Sequence, residues 1–194
     1  IDWLLEDAAN GEVFAAGHAE SGNDLPVLLS TTQAKRVDNG YQFTGRKSFG
    51  SLTPVWTRLG LHGVDTSDPD NPRIVHAFMK RDDDGYEIKE TWDVMGMRAT
   101  GSDDTILNGV FVPDNRIARI VPAGAAGLDQ FVLGIFAWAL INFGNIYYSL
   151  AKRALDITIE SVQKKPSVGL LNGMSHHPDV QHGVAEMTMM LEGI

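Results

Sequence analysis

The chain has 194 residues, of which 43% are hydrophobic and 21% are charged, an ordinary composition for a globular protein. Its formal net charge of -9 at pH 7 argues against a nucleic-acid partner. The absence of cysteine excludes disulfides, thiolate metal sites and cysteine nucleophiles, and it is compatible with a cytoplasmic location. No uninterrupted apolar run reaches the roughly 18 residues of a membrane span, so we expect none.

The first 24 residues predict a helix, a strand and a polar loop. Residues 1–9 place Trp3 and two leucines beside acidic residues, and Asn10-Gly11 end this pattern, so we interpret it as the tail of a longer helix. Residues 13–16 predict a short strand. The loop at residues 17–24 is rich in glycine and polar side chains, which suits the approach of a ligand to the backbone; an ordinary surface loop has the same composition.

Short alternating patterns then predict a β-domain. Residues 33–37 and 41–45 flank an Asp38-Asn39-Gly40 turn and are typical of a hairpin, which residues 47–51 extend. Polar turns separate the further predicted strands at residues 54–62, 73–80, 86–92 and 105–112. Strands of this length and spacing indicate a barrel or a sandwich.

The stretch from Trp92 to Pro113 is the central element of the predicted domain, with two tight turns followed by a strand. Gly96 and Gly101 allow the backbone to double back twice, with a polar corner after the second turn. Pro113 has no backbone N–H and ends the strand. By shape alone, the stretch is an ordinary hairpin corner.

The composition changes after Pro113. Residues 118–127, rich in alanine and glycine, predict a connecting segment, and residues 128–163 predict a long helix. Lys165 and its neighbours break the pattern, and a second helix is predicted from Asp179. Apolar residues at three- and four-residue steps predict one buried face on the long helix: Phe136, Leu140, Phe143, Tyr147, Leu150, Ala154 and Ile157.

Four motifs in chain order resemble the acyl-CoA dehydrogenase superfamily of flavoenzymes. They are FAAGHAESGND (14–24), GYQFTGRKSFGS (40–51), WDVMGMRATGSDDTILNGVFVP (92–113) and SLAKRAL (149–155), with a weaker match around Gln181. The resemblance implies an α+β multidomain protein, in which a central β-barrel is flanked by helical domains. Residues 1–11 would end an N-terminal helical domain, 12–117 would form the barrel, and 118–194 would begin a C-terminal helical bundle. Because members of this superfamily are about twice as long, we expect the chain to be cut at both ends.

The resemblance also implies an FAD site. Backbone donors and a hydroxyl would bind the polar edge of the isoalloxazine ring while an aromatic side chain packs on its face. Lys165 and Gln181 match positions at which a neighbouring subunit supplies an Arg to the FAD pyrophosphate and a Gln near the adenosine; a lysine keeps the charge without the bidentate fork. The matching positions in the barrel are Phe14, Ala16, Gly17, Asn23, Phe49 and Ser51.

Simpler interpretations of these residues stay open. Without the resemblance, Phe49 is a core aromatic residue, Ser51 is a hydroxyl at the end of a strand, and Lys165 is a solvated cation at a helix end. We predict no metal site. Among the histidines at 176, 177 and 182 the adjacent pair points in different directions and no carboxylate pattern completes a site, and the charged turn at residues 82–85 lacks the later ligands of a calcium loop.

Two departures from the superfamily pattern, and the expected position of the catalytic base, bear on the reaction. Gly17-His18-Ala19 replaces the usual Thr-Glu-Pro, so the hydroxyl expected near the flavin N5 is missing. Ala137 and Leu140 stand where members commonly carry an Asp and an Arg that face a CoA-bearing substrate. The catalytic glutamate of most members is expected beyond Ile194, so the catalytic base is unknown.

The resemblance implies an FAD-dependent enzyme of fatty acid metabolism. A carboxylate would take the α-proton of an acyl thioester such as acyl-CoA while the β-hydrogen leaves as hydride to FAD. Such an enzyme would have an electron-transfer partner and form a homo-oligomer, a tetramer or a dimer, which the apolar long helix also favours.

Two alternatives remain. One is a two-component monooxygenase of the same fold, which would use reduced FMN or FAD as a diffusible co-substrate. In that enzyme His18 would be a candidate catalytic residue, although a single histidine in a loop is more often a surface residue. The other is an inactive or flavin-free paralogue that acts as a subunit of an oligomer.

Overall fold

The computed structural model describes residues 2–124 and 129–193. Helix α1 (Asp2–Ala9) comes first, and the helices α2 (Gln130–Lys164) and α3 (Pro178–Glu192) come last, joined by a hairpin of β9 (Pro166–Ser167) and β10 (Asn172–Gly173). By packing, the chain forms two compact units, Ile1–Leu133 and Gly134–Ile194. The eight strands of the first unit are β1 (Phe14–Gly17), β2 (Gln33–Val37), β3 (Gly40–Gly50), β4 (Arg58–Asp65), β5 (Arg73–Lys80), β6 (Tyr86–Lys89), β7 (Asp103–Pro113) and β8 (Ile117–Pro122).

The eight strands form one curled sheet. Their order is β6-β7-β3-β2-β4-β5-β8, and β1 pairs in parallel with β4. Strands β5 and β7 approach each other although three strands separate them in this order, so the sheet wraps around a common core. This architecture, a large curled sheet followed by helices, confirms the predicted fold class. The core consists mainly of strand residues, among them Tyr41, Phe43, Leu59, Leu61, Val75, Met79, Leu107, Val110 and Val112.

Strand β3 is the central element for the candidate site. It pairs with β2 on one side and β7 on the other, and its register with β7 shifts between Phe43 and Thr44 and again between Lys47 and Gly50. Such β-bulges bend a strand and re-aim side chains. At the second bulge, Phe49 takes a φ of 56°, in the left-handed region that a residue with a Cβ rarely adopts.

Two predicted strands are shorter or shifted in the structure. The strand expected at residues 54–62 begins only at Arg58, because the preceding residues form a turn in which the N–H groups of Val55 and Trp56 both donate to the carbonyl of Leu52. The strand expected at residues 86–92 ends at Lys89. Its continuation leaves the sheet because the Asp103 carboxylate accepts hydrogen bonds from the N–H groups of residues 91 and 92.

The connecting segment predicted at residues 118–127 is also corrected in part. Residues Ile117–Pro122 form β8, which pairs antiparallel with β5, while residues 125–127 lie outside the described residues. The sequence did not predict this strand because Arg119 interrupts its apolar residues and a charged turn precedes it. The three-domain division at residues 11 and 117 stays a prediction.

Helix α1 is attached to the sheet through charged and aromatic contacts. Asp7 accepts hydrogen bonds from Arg58 at 2.6 Å and from Arg116 at 3.2 Å. The hydrogen bond from Arg58 is the largest of the contributions that lower the pKa of Asp7, and burial opposes it. Trp3 packs edge-to-face on Phe78 with ring centroids 5.6 Å apart, and the guanidinium of Arg116 lies 4.7 Å from the Trp3 ring centroid.

The face of α2 that was expected to be buried is largely exposed in this single chain. Of the seven predicted residues, Phe136 is half-buried and the other six are exposed, whereas Leu155, at a position outside the predicted set, is buried. Trp138 is 74% exposed. The pattern correctly predicts the helix, but no described part of the chain covers this face.

One helix of the described residues, α2, is long and apolar enough to cross a membrane by length and composition, with a mean hydropathy of 1.4 over its most apolar window. The prediction of no membrane span counted only uninterrupted apolar residues, and α2 passes this more permissive criterion. Helices in the core of a bundle pass the same criterion.

Candidate functional site

Three of the sequence motifs meet at one end of the sheet. The loop after β1 is joined to the end of β3 by a hydrogen bond from the Ser48 N–H to the Ala19 carbonyl, at 2.9 Å. The end of β3 is joined to the start of β7 by a 2.9 Å hydrogen bond between the hydroxyls of Ser51 and Ser102. Residues far apart in the sequence therefore form one continuous surface.

A cavity of about 360 Å³ lies within this surface. Its wall combines an aromatic edge, several hydroxyls and charged groups of both signs. This combination suits an organic ligand that has a flat apolar part and polar edges. The lining residues are Glu20, Ser21, Arg46, Ser48, Phe49, Thr91, Trp92, Ser102 and Asp104.

Phe49 presents its ring to solvent beside this cavity. The residue is 65% exposed, and its ring meets Trp92 edge-to-face, with centroids 6.3 Å apart. The simpler interpretation of Phe49 as a core aromatic is therefore wrong. An exposed aromatic side chain on a left-handed backbone is unfavourable for folding alone, and such local strain is common at ligand sites.

A chain of hydroxyl groups connects Ser51 to the cavity wall at Ser102. The Ser51 hydroxyl bonds to Ser102, which in turn lies 2.7 Å from the Thr100 hydroxyl. Thr100 also donates to the Met97 carbonyl at 2.9 Å. Hydroxyls can both donate and accept, so this chain can adapt to either kind of polar group on a ligand.

The first motif offers its backbone rather than its side chains. The Phe14 ring is half-buried and packs edge-to-face on Phe78, with centroids 5.9 Å apart. Ala16 is exposed and Gly17 is buried, and in the described part of the chain their strand pairs only with β4, so its other edge is unpaired. The Asn23 side chain is engaged within its own loop, where it donates to Glu20 and to the Leu29 carbonyl.

His18 belongs to a stack of three histidines. Its ring centroid lies 5.1 Å from that of His62, which lies 5.8 Å from that of His76. Burial is the largest cause that lowers all three pKa values, to about 3 for His62 and about 4 for His76. The rings are therefore neutral at pH 7. His18 is half-buried, which excludes the simple surface histidine considered from the sequence.

Sequence reasoning missed the buried polar residues beneath this loop. Glu20, Lys47, His62 and His76 are all buried, and Lys47 lies 2.6 Å from Glu20. One signal was available: a histidine occupies the middle of each of the apolar strands β4 and β5. A charged side chain in a β-strand usually reaches solvent, however, so the partnership of Lys47 with Glu20 was not apparent.

A second ion pair borders the cavity from the opposite strand. The Arg46 Nε lies 2.7 Å from Asp104 Oδ2, and the terminal nitrogen of the guanidinium contacts the same oxygen. The Asp104 side chain is 7% exposed and that of Arg46 is 56% exposed. The guanidinium is thus held at the rim of the cavity with one side open to solvent.

The remaining predicted positions lie in the second compact unit. Lys165 is exposed, and its carbonyl accepts the Met174 N–H at 2.8 Å. The Gln181 amide donates to the Ser175 carbonyl at 3.0 Å. Lys165 and Gln181 therefore border the same short turn. In the residues that the structure describes, no group of three histidine, aspartate or glutamate side chains could hold a metal ion.

The fold is that of the acyl-CoA dehydrogenases. The solved structure of butyryl-CoA dehydrogenase from Megasphaera elsdenii superimposes with a TM-score of 0.81 at 16% sequence identity, over 99% of this chain and 49% of that one. The resemblance found in the sequence motifs is thereby confirmed at the level of the fold. No model of a known protein family matches the chain.

Two curated proteins similar to this chain are named for different reactions, one as a dehydrogenase and one as a monooxygenase. The chain is 28% identical over 193 residues to "Putative acyl-CoA dehydrogenase YdbM" of Bacillus subtilis, which is 97% of this chain and 48% of YdbM. It is 33% identical over 131 residues to the flavin-dependent monooxygenase oxygenase subunit HsaA of Rhodococcus jostii, which is 62% of this chain and 34% of HsaA. The chain thus spans about half the length of YdbM and about a third of HsaA.

Proposed function

We propose that the protein is a flavin-dependent oxidoreductase that removes hydrogen from the α and β carbons of an acyl thioester, with FAD as its cofactor. The observation that carries this proposal is the meeting of three motifs around the cavity beside Phe49. The similarity to YdbM along 97% of the chain supports the choice of an acyl-CoA dehydrogenase.

Phe49 in the cavity wall and residues outside it fit the chemistry of a flavin. The exposed Phe49 ring would pack on its aromatic face, and the Ser51 hydroxyl and the unpaired backbone edge at Ala16 and Gly17 would bind its polar edge. A bound flavin accepts hydride from a carbon substrate or, when reduced, activates oxygen. The other predicted contacts are the backbones of Phe14 and Asn23 and, from a neighbouring subunit, Lys165 and Gln181.

Residues of this chain would bind and orient rather than transfer the α-proton. The predicted base is a glutamate after Ile194, so this step rests on the longer protein. Within the chain, the Trp92 side chain beside Phe49 would limit how the ring moves and would shield one side of the site from water.

A second candidate is a monooxygenase of the same fold, which uses reduced FMN or FAD. The specific observation in its favour is His18. Burial in the histidine cluster lowers its pKa, so the imidazole that stacks on His62 is neutral and can make a hydrogen bond to a ligand. Ala137 and Leu140, which replace the charged residues expected to face CoA, favour it as well. HsaA, a flavin-dependent monooxygenase by name, is similar over 62% of the chain.

We further propose that the protein assembles into a homo-oligomer through α2, because its apolar side chains are exposed in the single chain. Trp138, Phe143 and Tyr147 are each more than half exposed, and an apolar surface of this kind is typical of an interface. A cytoplasmic location and an electron-transfer partner complete the proposal for a dehydrogenase.

Anaerobic titration of the full-length, flavin-loaded protein with a panel of acyl-CoAs tests the proposed reaction. Loss of the absorbance of the oxidised flavin with any acyl-CoA supports the dehydrogenase. If no acyl-CoA reduces the flavin but the protein, with O₂ and externally supplied reduced flavin, converts a small aromatic substrate to its hydroxylated product, the monooxygenase is correct. A full-length protein that binds neither oxidised nor reduced flavin would contradict both and leave the inactive paralogue.

A further inference from the structure

We propose that the buried ion pair between Lys47 and Glu20 positions the candidate flavin site, by holding the loop of residues 18–32 against the bulge that carries Phe49. Glu20 lies two residues after His18, and Lys47 lies two residues before Phe49. A single contact between their side chains therefore fixes both walls of the site. This assignment rests on the proposed flavin function. The sequence motifs did not predict the pairing of Lys47 with Glu20.

Lys47 uses all three of its N–H donors inside the protein. Its Nζ lies 2.6 Å from Glu20 Oε1, 2.6 Å from the His62 carbonyl and 3.1 Å from His62 Nδ1. Its side chain is 1% exposed and that of Glu20 is 0% exposed. An ammonium has three donors and no acceptor, so its hydrogen-bonding capacity is filled.

His62 extends the same network to the far end of the loop. Its Nε2 lies 2.8 Å from the Leu29 carbonyl. A carbonyl can only accept, so Nε2 carries the proton and Nδ1 of the neutral ring is free to accept from Lys47. The Lys47 ammonium thus reaches one end of the loop through Glu20 and the other through His62.

Glu20 gathers the loop around its carboxylate. Oε1 accepts from the Thr32 hydroxyl at 2.6 Å and from the Ser30 hydroxyl at 2.8 Å. Oε2 accepts from the Thr31 N–H at 2.8 Å and from the Asn23 amide at 2.9 Å. Burial opposes ionisation of Glu20, but the charge of Lys47 and these hydrogen bonds outweigh it and lower the pKa, so the carboxylate is ionised.

Apolar packing provides little else to hold this loop. In the described structure, Val27 is the one buried apolar residue between residues 18 and 32, and Leu25 and Leu29 are exposed. Buried ion pairs add little net stability because each charge loses its hydration. The pair therefore acts mainly by fixing the loop in one position. Apolar side chains in place of Lys47 and Glu20 would not fix it there, even at equal stability.

Glu20→Gln tests this role, because it keeps the shape of the side chain and removes its charge. Full-length wild-type protein, E20Q and the core variant Val75→Ala are compared by flavin titration, thermal unfolding and backbone hydrogen exchange. V75A is the control for lost stability, since Val75 is buried in β5 and makes none of the hydrogen bonds of the network. We expect E20Q to weaken flavin binding by about tenfold or more and V75A to leave it within about twofold.

Hydrogen exchange separates this inference from the proposed function. E20Q should raise exchange in residues 20–32 while the core strands stay protected, whereas V75A should raise it across the sheet. If wild type binds no flavin, the proposed function fails, and the exchange pattern alone decides whether the pair positions the loop. Unchanged loop exchange in E20Q, or loss of flavin affinity in E20Q and V75A in proportion to lost stability, would overturn the assignment.

The double variant E20Q/Lys47→Met gives a further test. Removing the ammonium relieves the unpaired buried charge that E20Q leaves behind, so stability should recover. The loop has still lost its link to β3, so flavin binding should stay weak. Recovery of both properties together would show that the pair is only structural.

Discussion

Phe49 and Trp92 meet edge-to-face at the rim of the cavity, with ring planes at 73° and centroids 6.3 Å apart. Phe49 comes from the bulge at the end of β3, and Trp92 follows β6, which lies on the other side of β7 in the sheet. The contact holds an exposed aromatic ring in place although its φ of 56° is unfavourable. The site therefore maintains a locally strained residue, for which the stability of the fold alone gives no reason.

The left-handed backbone at Phe49 predicts that glycine is more stable than alanine at this position, the reverse of the usual order in a strand. At an ordinary strand position, alanine is more stable than glycine, but at a left-handed φ glycine avoids a cost of about 1–2 kcal/mol. We expect Phe49→Gly to have a free energy of unfolding about 1 kcal/mol higher than Phe49→Ala. Both should lose flavin affinity, because both lack the ring. Urea unfolding and flavin titration measure these effects, and a more stable F49A would contradict the left-handed assignment.

The buried histidines predict a loss of stability in acid. Burial, reinforced by the charge of Lys47, lowers the pKa of His76 to about 4. Below about pH 6.5 the unfolded chain binds a proton at this residue that the folded protein does not, so stability falls as the pH falls. The loss in the free energy of unfolding that His76 causes is absent above about pH 7.5 and reaches about 2 kcal/mol at about pH 5.

Replacement of His76 isolates this contribution. Neither ring nitrogen of His76 has a hydrogen-bond partner among the described residues, so His76→Phe removes the titration without breaking a bond. The free energy of unfolding of H76F minus that of wild type should rise by about 2 kcal/mol between about pH 7.5 and pH 5. Val75→Ala, which removes no titrating group, should differ from wild type by a constant amount. A constant difference for H76F as well would show that His76 does not cause the acid sensitivity.

The contact of Asp7 with Arg58 predicts that the first helix contributes to the stability of the sheet. Among the described residues, Asp7→Asn leaves Arg58, whose side chain is 11% exposed, with Glu12 as its remaining carboxylate partner. The expected loss is about 1–3 kcal/mol in the free energy of unfolding. Arg36→Gln, which breaks an exposed pair with Asp114, should cost much less because water replaces the lost contact. Equal losses in the two variants would mean that Asp7 does not anchor α1.

Gly45 predicts a steric effect on the loop. A Cβ at this position would lie 2.6 Å from the Thr32 hydroxyl oxygen and 2.8 Å from the Thr32 Cα, so Gly45→Ala must displace Thr32. Because Thr32 bonds to Glu20 through its N–H and its hydroxyl, we expect a loss of about 1–3 kcal/mol and faster hydrogen exchange in the loop. Gly96→Ala is the control, since a Cβ there meets no atom within 4 Å. Equal stability of the two variants would refute the predicted clash.

Local patterns were sufficient for the elements whose residues alternate cleanly. Strands β2 and β5 are found at residues 33–37 and 73–80, as predicted, because turn residues bound a short alternating or apolar run at both sites. The helix α2 follows from its three- and four-residue steps. Strand β8 was missed because its pairing with β5 joins residues at least 40 positions apart, and a short run such as IARIVP predicts no partner.

The sequence by itself determined the order of the elements, the motifs of the superfamily and the positions, such as Phe49 and Ser51, at which a flavin is expected. Only the tertiary structure decided that Phe49 is exposed on a left-handed backbone and that Lys47 points inward to Glu20. The physical reason is that side-chain periodicity reports which face of a strand is buried, whereas a bulge and a buried charge depend on partners from other strands and loops. Lys47 and Glu20 are 27 residues apart, and a charged residue in a sequence carries no sign of the partner that makes its burial possible.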